Sequence, residues 1–214
     1  LICKKNKYNV ILDTDTYNEA DDQFALSYLL KSKEVFNIEA ITIAPFSPEK
    51  WQGTVSDSID ASYNEACKIF DLLGLKDKSL IYKGSRDYLK NGYNEENLAI
   101  KKIIEIANKN KKTYILAIGC LTNIALALKS NPDIVDKIEI IWLGSNFLFG
   151  TNKDFNFDQD VEAVKVVFES KVKLTVMPCS PITSNLMTSI YELESELKGK
   201  NELCDYLCNI FYNR

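Results

Sequence analysis

Residues 10–26 read Val10-Ile11-Leu12-Asp13-Thr14-Asp15-Thr16-Tyr17-Asn18-Glu19-Ala20-Asp21-Asp22-Gln23-Phe24-Ala25-Leu26. The aliphatic run before Asp13 is typical of a buried strand, and the stretch from Asp21 onward is typical of a helix with an acidic first turn. A buried strand that passes through a polar loop into a helix is the first half of a βαβ unit. The stretch therefore predicts an α/β fold with an acidic loop at the carboxyl end of its first strand.

The same alternation of short apolar runs and longer amphipathic stretches continues along the chain. We predict strands at Tyr8–Leu12, Ile38–Ala44, Leu80–Lys83, Thr113–Ile118, Ile138–Leu143 and Val172–Met177. We predict helices at Asp21–Lys31, Ser56–Leu73, Glu95–Lys109, Asn123–Lys129 and Val161–Ser170, with a final pair between Ser189 and Tyr212. Such repeated units form an open, mostly parallel sheet with helices on both faces, as in Rossmann-like folds. No linker or internal repeat divides the chain, so we predict a single domain over residues 1–214.

The sequence contains no histidine among its 214 residues. Ser-His-Asp triads, Cys-His dyads and histidine-liganded zinc sites all need an imidazole, so these classes of active site are excluded. Because these active sites are excluded, catalysis in this chain must rest on carboxylates, amides, lysines or a metal ion.

The formal net charge is -4, and 24 of the 26 cationic residues are lysine rather than arginine, which argues against a nucleic-acid partner.

The six cysteines are scattered without a Cys-x-x-Cys pair, in a chain much larger than a disulfide-dense secreted domain. No apolar run approaches the ~18 residues that a membrane-spanning helix needs. These features predict a protein of the reducing cytoplasm without a membrane partner. Cys179 also follows a predicted strand, but no imidazole is present to activate its thiol, so we interpret this cysteine as structural.

The acidic loop places five carboxylates in the ten positions from Asp13 to Asp22. Carboxylates this close raise one another's pKa unless a cation or fixed dipoles neutralise them. The simpler interpretation is an exposed turn in which Asp21 or Asp22 caps the next helix. The position directly after a buried strand favours a metal site instead, and oxygen ligands without imidazole or paired thiolates select calcium or magnesium. An EF-hand is excluded because Phe24 stands where its bidentate glutamate would be.

Four further segments extend this pattern, and they read Ile118-Gly119-Cys120-Leu121-Thr122-Asn123-Ile124-Ala125, Ile141-Trp142-Leu143-Gly144-Ser145-Asn146, Asp154-Phe155-Asn156 and Asp160-Val161-Glu162-Ala163. Together with residues 10–26, and in this order, they resemble the motifs of the inosine-uridine-preferring nucleoside hydrolases. The resemblance runs from about Asn9 to the end of the chain. It implies a nucleoside hydrolase-like α/β fold.

The resemblance also implies an activity, namely calcium-dependent hydrolysis of the N-glycosidic bond of ribonucleosides to ribose and free base. By this resemblance, Asp15 and Asp22 hold Ca²⁺ through side-chain oxygens, and Thr122 holds it through its backbone carbonyl. Asp15 is in addition the implied catalytic general base, which takes a proton from the attacking water. The implied partner is a small nucleoside.

The ribose hydroxyls are assigned to four residues. Asp21, Asp154 and Asn156 are implied by the resemblance, whereas Asn146 is inferred from its position at the end of a strand. Asparagine is also favoured in such loops for local hydrogen bonds, and this explains Asn146 equally well.

Departures from the family pattern leave the base preference and the activity open. Asp154 replaces the usual glutamate, Cys120 replaces a proline, and no imidazole stands beside the leaving base. Family members continue into a carboxyl-terminal segment that supplies another aspartate ligand, and the resemblance implies that this chain lacks it. Aromatic residues on the relevant loops, which could stack on the leaving base, are Tyr17, Phe46, Trp51, Phe147 and Phe149.

Two alternatives to a nucleoside hydrolase stay open, namely a non-catalytic nucleoside-binding relative and a magnesium-dependent phosphohydrolase. Assembly into a homo-oligomer stays open as well.

Overall fold

The computed structural model of the chain describes residues 7–93, 97–146 and 154–213. Its strands are β1 (Tyr8–Thr14), β2 (Phe36–Ile43), β3 (Ile81–Lys83), β4 (Thr113–Ala117), β5 (Ile138–Leu143) and β6 (Lys173–Met177). Its helices are α1 (Asp21–Lys31), α2 (Val55–Leu72), α3 (Leu98–Lys109), α4 (Thr122–Ser130), α5 (Phe155–Gln159), α6 (Val161–Glu169), α7 (Ile190–Leu197) and α8 (Glu202–Asn213). Short 3-10 turns lie at Leu89–Asn91, Pro132–Ile134 and Thr183–Asn185.

The six strands form one parallel sheet in the order β3-β2-β1-β4-β5-β6. The strand order reverses between β1 and β4, because β2 and β3 extend the sheet to one side and β4 to β6 extend it to the other. In open parallel sheets, ligands bind beyond the carboxyl ends of the strands at this switch point. The acidic loop after β1 lies there.

Two apolar cores cover the sheet, one on each face. On one face α3, α4 and α6 pack against Ile11, Ile115 and Ile140. On the other face α1, α2 and α8 pack against neighbouring strand positions such as Val10 and Leu12. Successive residues of a strand point to opposite faces, so β1 is buried on both sides and contributes to both cores.

The second face is less covered over β4 to β6 than over β1 to β3. There the strands and α1 border an apolar cavity of about 730 Å³. Its wall includes Leu116, Ile141, Met177, Phe24 and Leu186. Within the described residues, no helix is both long and apolar enough to cross a bilayer.

The predicted fold class is confirmed, and the differences concern the ends of elements and one short helix. The strand β1 extends to Thr14 and so takes Asp13 into the sheet. The helix α3 begins at Leu98 and is capped by the Asn97 side chain, whereas residues 95 and 96 of the predicted helix lie outside the described part. The short helix α5 was not predicted, because five residues show no helical periodicity.

Candidate functional site

Asp15 is the first residue beyond β1, and it lies where β1, β2 and β4 end side by side. Its side chain is 2% exposed. Gly119, in the turn after β4, lets the carboxylate approach the backbone, because a Cβ at this position would lie 3.1 Å from Asp15 Oδ1. Asp15 Oδ2 is buried and has no hydrogen-bond partner among the described residues. A buried carboxylate oxygen without a donor is costly unless a cation or a ligand supplies the missing interaction.

Asp22 lies in the first turn of α1 and is also buried, at 4% exposure. Its Oδ1 accepts a hydrogen bond from the Thr14 hydroxyl, and Thr14 Oγ1 lies 3.0 Å from Thr16 Oγ1. Burial raises the pKa of Asp22 well above its usual range, and repulsion from Asp15 and Asp21 raises it further. The two buried carboxylates therefore form a pair that is stable as two anions only if a positive charge compensates them.

The pKa of Asp15 is raised in the same way. Burial raises it to about 8, and the negative charges of Asp21 and Glu19 act in the same direction. A hydrogen bond to the Asn18 side chain lowers it in part. Without a cation, Asp15 thus holds a proton near neutral pH.

Asp13, one pleat earlier, belongs to a buried hydrogen-bond network behind the site. Its Oδ1 accepts from the Thr42 hydroxyl on β2 and from Asn123 Nδ2 at 2.9 Å. Asn123 also donates to the Ile43 carbonyl and accepts from the Ser85 amide, both at 2.9 Å. Burial raises the pKa of Asp13 to about 7, against the lowering by these two donors. The network joins the ends of β1 and β2, the loop after β3 and the start of α4.

A cavity of about 280 Å³ opens in front of the carboxylate pair. It is lined by Asp15, Asn18, Glu19, Asp21, Asp22, Ile118, Leu143, Gly144, Asn146, Asp154, Phe155, Asn156 and Cys179. Six of the seven residues predicted for the site are in this list. The structure therefore brings together residues from the loops after β1, β4, β5 and β6.

Asp154 and Asn156 lie at the start of α5, and both contribute to holding the cavity wall. Asp154 caps the helix, since its Oδ1 accepts from the Phe157 amide at 2.9 Å and its Oδ2 accepts from the Asn146 amide at 2.8 Å. Asn156 Nδ2 donates to the carbonyls of Ile118 and Leu143 at 3.0 and 2.9 Å. Because the NH₂ group of Asn156 makes both of these bonds, its side-chain oxygen is the atom left for a ligand.

Asn146 has a similar structural contact, because its Oδ1 accepts from the Ser180 amide at 2.9 Å. This bond ties the loop after β5 to the loop after β6. Asp21, by contrast, is exposed and borders both the polar cavity and the apolar one. Among the predicted ribose ligands, Asp21 is thus the most accessible.

Thr122, the seventh predicted residue, lies at the first position of α4 and is fully buried. Its hydroxyl donates to Asp160 Oδ2 at 2.6 Å. Thr122 is not among the residues that line the cavity. Its predicted role concerns the backbone carbonyl, and that role stays a prediction.

Calcium is a hard cation that binds oxygen ligands. Among the described residues, no group of three or more carboxylates, thiolates or imidazoles is placed to hold a metal. The site offers two buried carboxylates with hard oxygen atoms, one of which lacks a partner. Calcium takes six to eight oxygens, so a calcium ion fits this pair if carbonyl, water and substrate oxygens complete its shell.

Seven of the thirteen cavity residues were not predicted for the site, and three of them carry a polar or ionisable side chain. Asn18 and Glu19 belong to the acidic loop itself, and the residue types in this loop do not indicate which of them face the cavity. Cys179 was interpreted as structural; the structure shows it exposed and in the walls of both cavities, and its role stays a prediction. Its place beside the site follows from the position after β6, which the sequence did show.

The predicted aromatic residues have different environments. Phe46 is buried and its ring lies 4.9 Å from that of Trp51, which in turn lies 6.1 Å from the exposed Tyr17 ring in an edge-on arrangement. Phe147 and Phe149 lie outside the described residues. An aromatic cluster therefore joins the loops after β1 and β2.

A family model described as inosine-uridine preferring nucleoside hydrolase matches residues 10–213. A probable ribonucleoside hydrolase of Dictyostelium discoideum is 38% identical over 82 residues, which are 37% of this chain and 24% of that protein. A probable uridine nucleosidase of Oryza sativa subsp. japonica is 32% identical over 126 residues, which are 55% of this chain and 38% of that protein. The aligned segments thus span less than two thirds of these relatives.

Solved structures with the same fold superpose on nearly all of the chain. The purine-preferring ribonucleoside hydrolase from Gardnerella vaginalis superposes with a TM-score of 0.73 at 26% identity, covering 94% of this chain and 70% of that one. A structure described as an inosine-guanosine nucleoside hydrolase gives a TM-score of 0.76 at 19% identity, covering 97% and 72%. At 19% identity the second match supports the fold alone.

Proposed function

The chain belongs to the inosine-uridine preferring nucleoside hydrolase family, and from this premise we propose that it hydrolyses the N-glycosidic bond of ribonucleosides to ribose and free base. The observation that carries the proposal is the buried Asp15 carboxylate with its unpartnered oxygen. It stands at the back of a cavity that Asp21, Asp154 and Asn156 also line. A carboxylate opposite several hydroxyl-binding groups suits the cleavage of a sugar from its leaving group.

The cofactor we propose is calcium, held by Asp15 and Asp22 through their side chains and by Thr122 through its carbonyl. When bound, the ion would neutralise the carboxylate pair, hold two ribose hydroxyls and acidify a water molecule. The two buried carboxyl groups support this assignment, because burial raises the pKa of both when no cation is bound.

Asp15 is the proposed general base. Water attacks C1′ of the ribosyl group while the C1′–N bond to the base breaks and its electron pair leaves with the base nitrogen. The water proton passes to Asp15, which must be ionised at that moment. Calcium would acidify water less than zinc does, so a positioned carboxylate would be needed to take the proton. Bound calcium would therefore have to lower the pKa of Asp15 from its metal-free value before catalysis.

Ribose binding is assigned to Asp21, Asp154, Asn156 and Asn146. The exposed Asp21 can accept a hydrogen bond from a ribose hydroxyl at the cavity mouth. Asp154 keeps one structural bond on each oxygen, and each oxygen can accept a second. The leaving base takes its proton from solvent or another group, since the chain has no imidazole.

Ribose release from inosine and from uridine tests the proposal, with metal-free protein, with calcium, and with the Asp15→Asn variant. Calcium-dependent release by the wild type and none by the variant is the expected result. A second candidate is a nucleoside-binding protein without turnover, which the supply of only two described side-chain ligands favours. Calcium-dependent binding of ribose without release of base would support that candidate and contradict hydrolysis.

A further inference from the structure

We propose that Gln159 and Asp160 are positioning residues, which together fix the helix α5 and the start of α4 around the site. Neither residue lines the cavity. The pair lies at the carboxyl-terminal end of α5, opposite the end that carries Asp154 and Asn156. The inference rests on the proposed function for its catalytic readout, and on hydrogen-bond geometry for the rest.

The helix α5 needs external support because it has only five residues. Isolated helices shorter than ~12 residues are marginal in water, so a helix of this length has no stability of its own. Its amino-terminal end is held by the Asp154 cap and by the two bonds of Asn156. Its other end must be held by tertiary contacts if both ligand-facing residues are to keep their place.

Asp160 supplies most of these contacts. Its carboxylate is fully buried and accepts four hydrogen bonds from three parts of the chain. Oδ2 accepts from the Thr122 hydroxyl at 2.6 Å and from the Leu89 amide at 2.8 Å. Oδ1 accepts from the Lys90 amide at 3.0 Å and from the Ala163 amide at 3.3 Å. The carboxylate thus joins the starts of α4 and α6 to the 3-10 turn after β3.

Gln159 adds two contacts to the loops beside it. Its Oε1 accepts from the Ser47 amide at 2.9 Å and from the Tyr88 hydroxyl. Ser47 lies in the loop after β2, and Tyr88 in the loop after β3. Between them, the two adjacent residues therefore connect α5 to the loops or helices that follow β2, β3 and β4.

This arrangement goes beyond capping of α6. A helix cap needs only one side-chain oxygen that accepts from a helix amide. In Asp160 this capping bond, from the Ala163 amide, is the longest of the four at 3.3 Å. The shorter bonds go to Thr122, whose carbonyl is a proposed calcium ligand, and to the turn after β3. Charge-assisted bonds of this kind are stronger than neutral ones, so the anion sets the geometry of its donors.

The test compares Asp160→Asn with two controls. An amide offers one acceptor oxygen in place of two, so part of the donor set would face an NH₂ group, while the cap of α6 is retained. Ile138→Val controls for a modest loss of stability at a buried position at the other end of the sheet. Asp133→Asn makes the same chemical change at an exposed residue.

Two readouts are measured for each variant. For Asp160→Asn we expect kcat/KM for nucleoside hydrolysis to fall ~10- to 100-fold, since a misplacement of about 1 Å can cost about 10² in rate. The loss should lie mainly in KM, because α5 contacts the ribose. Hydrogen exchange of the Phe157 and Asp158 amides should accelerate about tenfold or more, as expected for the loss of a hydrogen bond to a charged group. Neither change is expected in the controls.

The outcomes separate this proposal from the proposed function. Unchanged exchange in α5, or faster exchange with the same kcat/KM as Ile138→Val, would overturn the positioning role. If wild-type protein releases no ribose, the proposed function fails and the exchange readout alone decides the positioning role. If Asp160→Asn does not fold, Gln159→Leu replaces it. That variant removes the acceptor of two bonds without burying a charge, and the same two readouts decide in the same directions.

Discussion

Metal-free protein should lose stability as the pH rises from 5 to 7.5, and calcium should offset a large part of this loss. The folded-state pKa of Asp15 is about 8, against an ordinary value of 3.8. The folded state therefore keeps a proton that the unfolded state has released, and stability falls with pH throughout the interval between these two values. The full contribution is present below about pH 4 and is lost as the pH approaches 8.

The size of the effect follows from the slope of the linkage relation. One pH unit corresponds to about 1.4 kcal/mol for one proton, so 2.5 units correspond to ~3 kcal/mol from Asp15. Asp13, with its pKa raised to about 7, acts in the same direction. For a domain of this size 1 kcal/mol moves the melting temperature by about 2–4 °C, so the expected decrease is at least ~6 °C.

The assay is thermal unfolding of protein passed over a chelating resin, at pH 5 and pH 7.5, with and without millimolar calcium. Calcium present at a hundredfold excess over its Kd should add about 2.7 kcal/mol at pH 7.5. Asp15→Asn is the matched control, and it should remove the Asp15 share of the pH dependence together with the response to calcium, while the share of Asp13 remains. A metal-free wild type that melts higher at pH 7.5 than at pH 5, or an unchanged profile in Asp15→Asn, would refute the reasoning.

Three further changes test the geometry of the site. Asp22→Ala should leave a folded protein that shows no calcium binding by calorimetry, because it removes a ligand and relieves the repulsion with Asp15; unfolding of the metal-free variant would point to a structural role instead. Gly119→Ala should lower the melting temperature by the equivalent of ~1–3 kcal/mol and weaken calcium binding, since its Cβ would press on Asp15 Oδ1; unchanged calcium affinity would show that the carboxylate can move aside. Asn156→Ala should cost ~1–3 kcal/mol in denaturant unfolding and raise KM, because it leaves two backbone carbonyls without their donor; an unchanged unfolding midpoint would show that water replaces the amide.

The sheet and the acidic loop were predictable because both leave a local mark in the sequence. Aliphatic runs mark β1, β4 and β5, and a loop after a buried strand is placed at the sheet edge by topology alone. The exposure of Cys179 was not predictable in this way, because it depends on β6 being the last described strand of the sheet.

The contacts within the site depend on pairs of residues far apart in sequence. Asp160 is bonded to Leu89 and Thr122, and Asn146 is bonded to Ser180, and none of these pairs forms a sequence pattern. The motif that contains Asp160 was recognisable in the sequence, whereas the four groups that donate hydrogen bonds to its carboxylate were not. Residue types at the site could thus be predicted, but their tertiary partners could not.

The pairing of β1 with β4 also determines when the site can form as the chain is made. Val10 lies opposite Tyr114 in the sheet, and the Asp15 carboxylate lies against Gly119. At ~5–20 residues per second of synthesis, the aspartate loop leaves the ribosome roughly 5–20 s before this neighbour does. Contacts of such long sequence separation form slowly, because loop-closure entropy must be overcome first. Calcium binding should therefore mark a late event in folding, after the two halves of the sheet have joined.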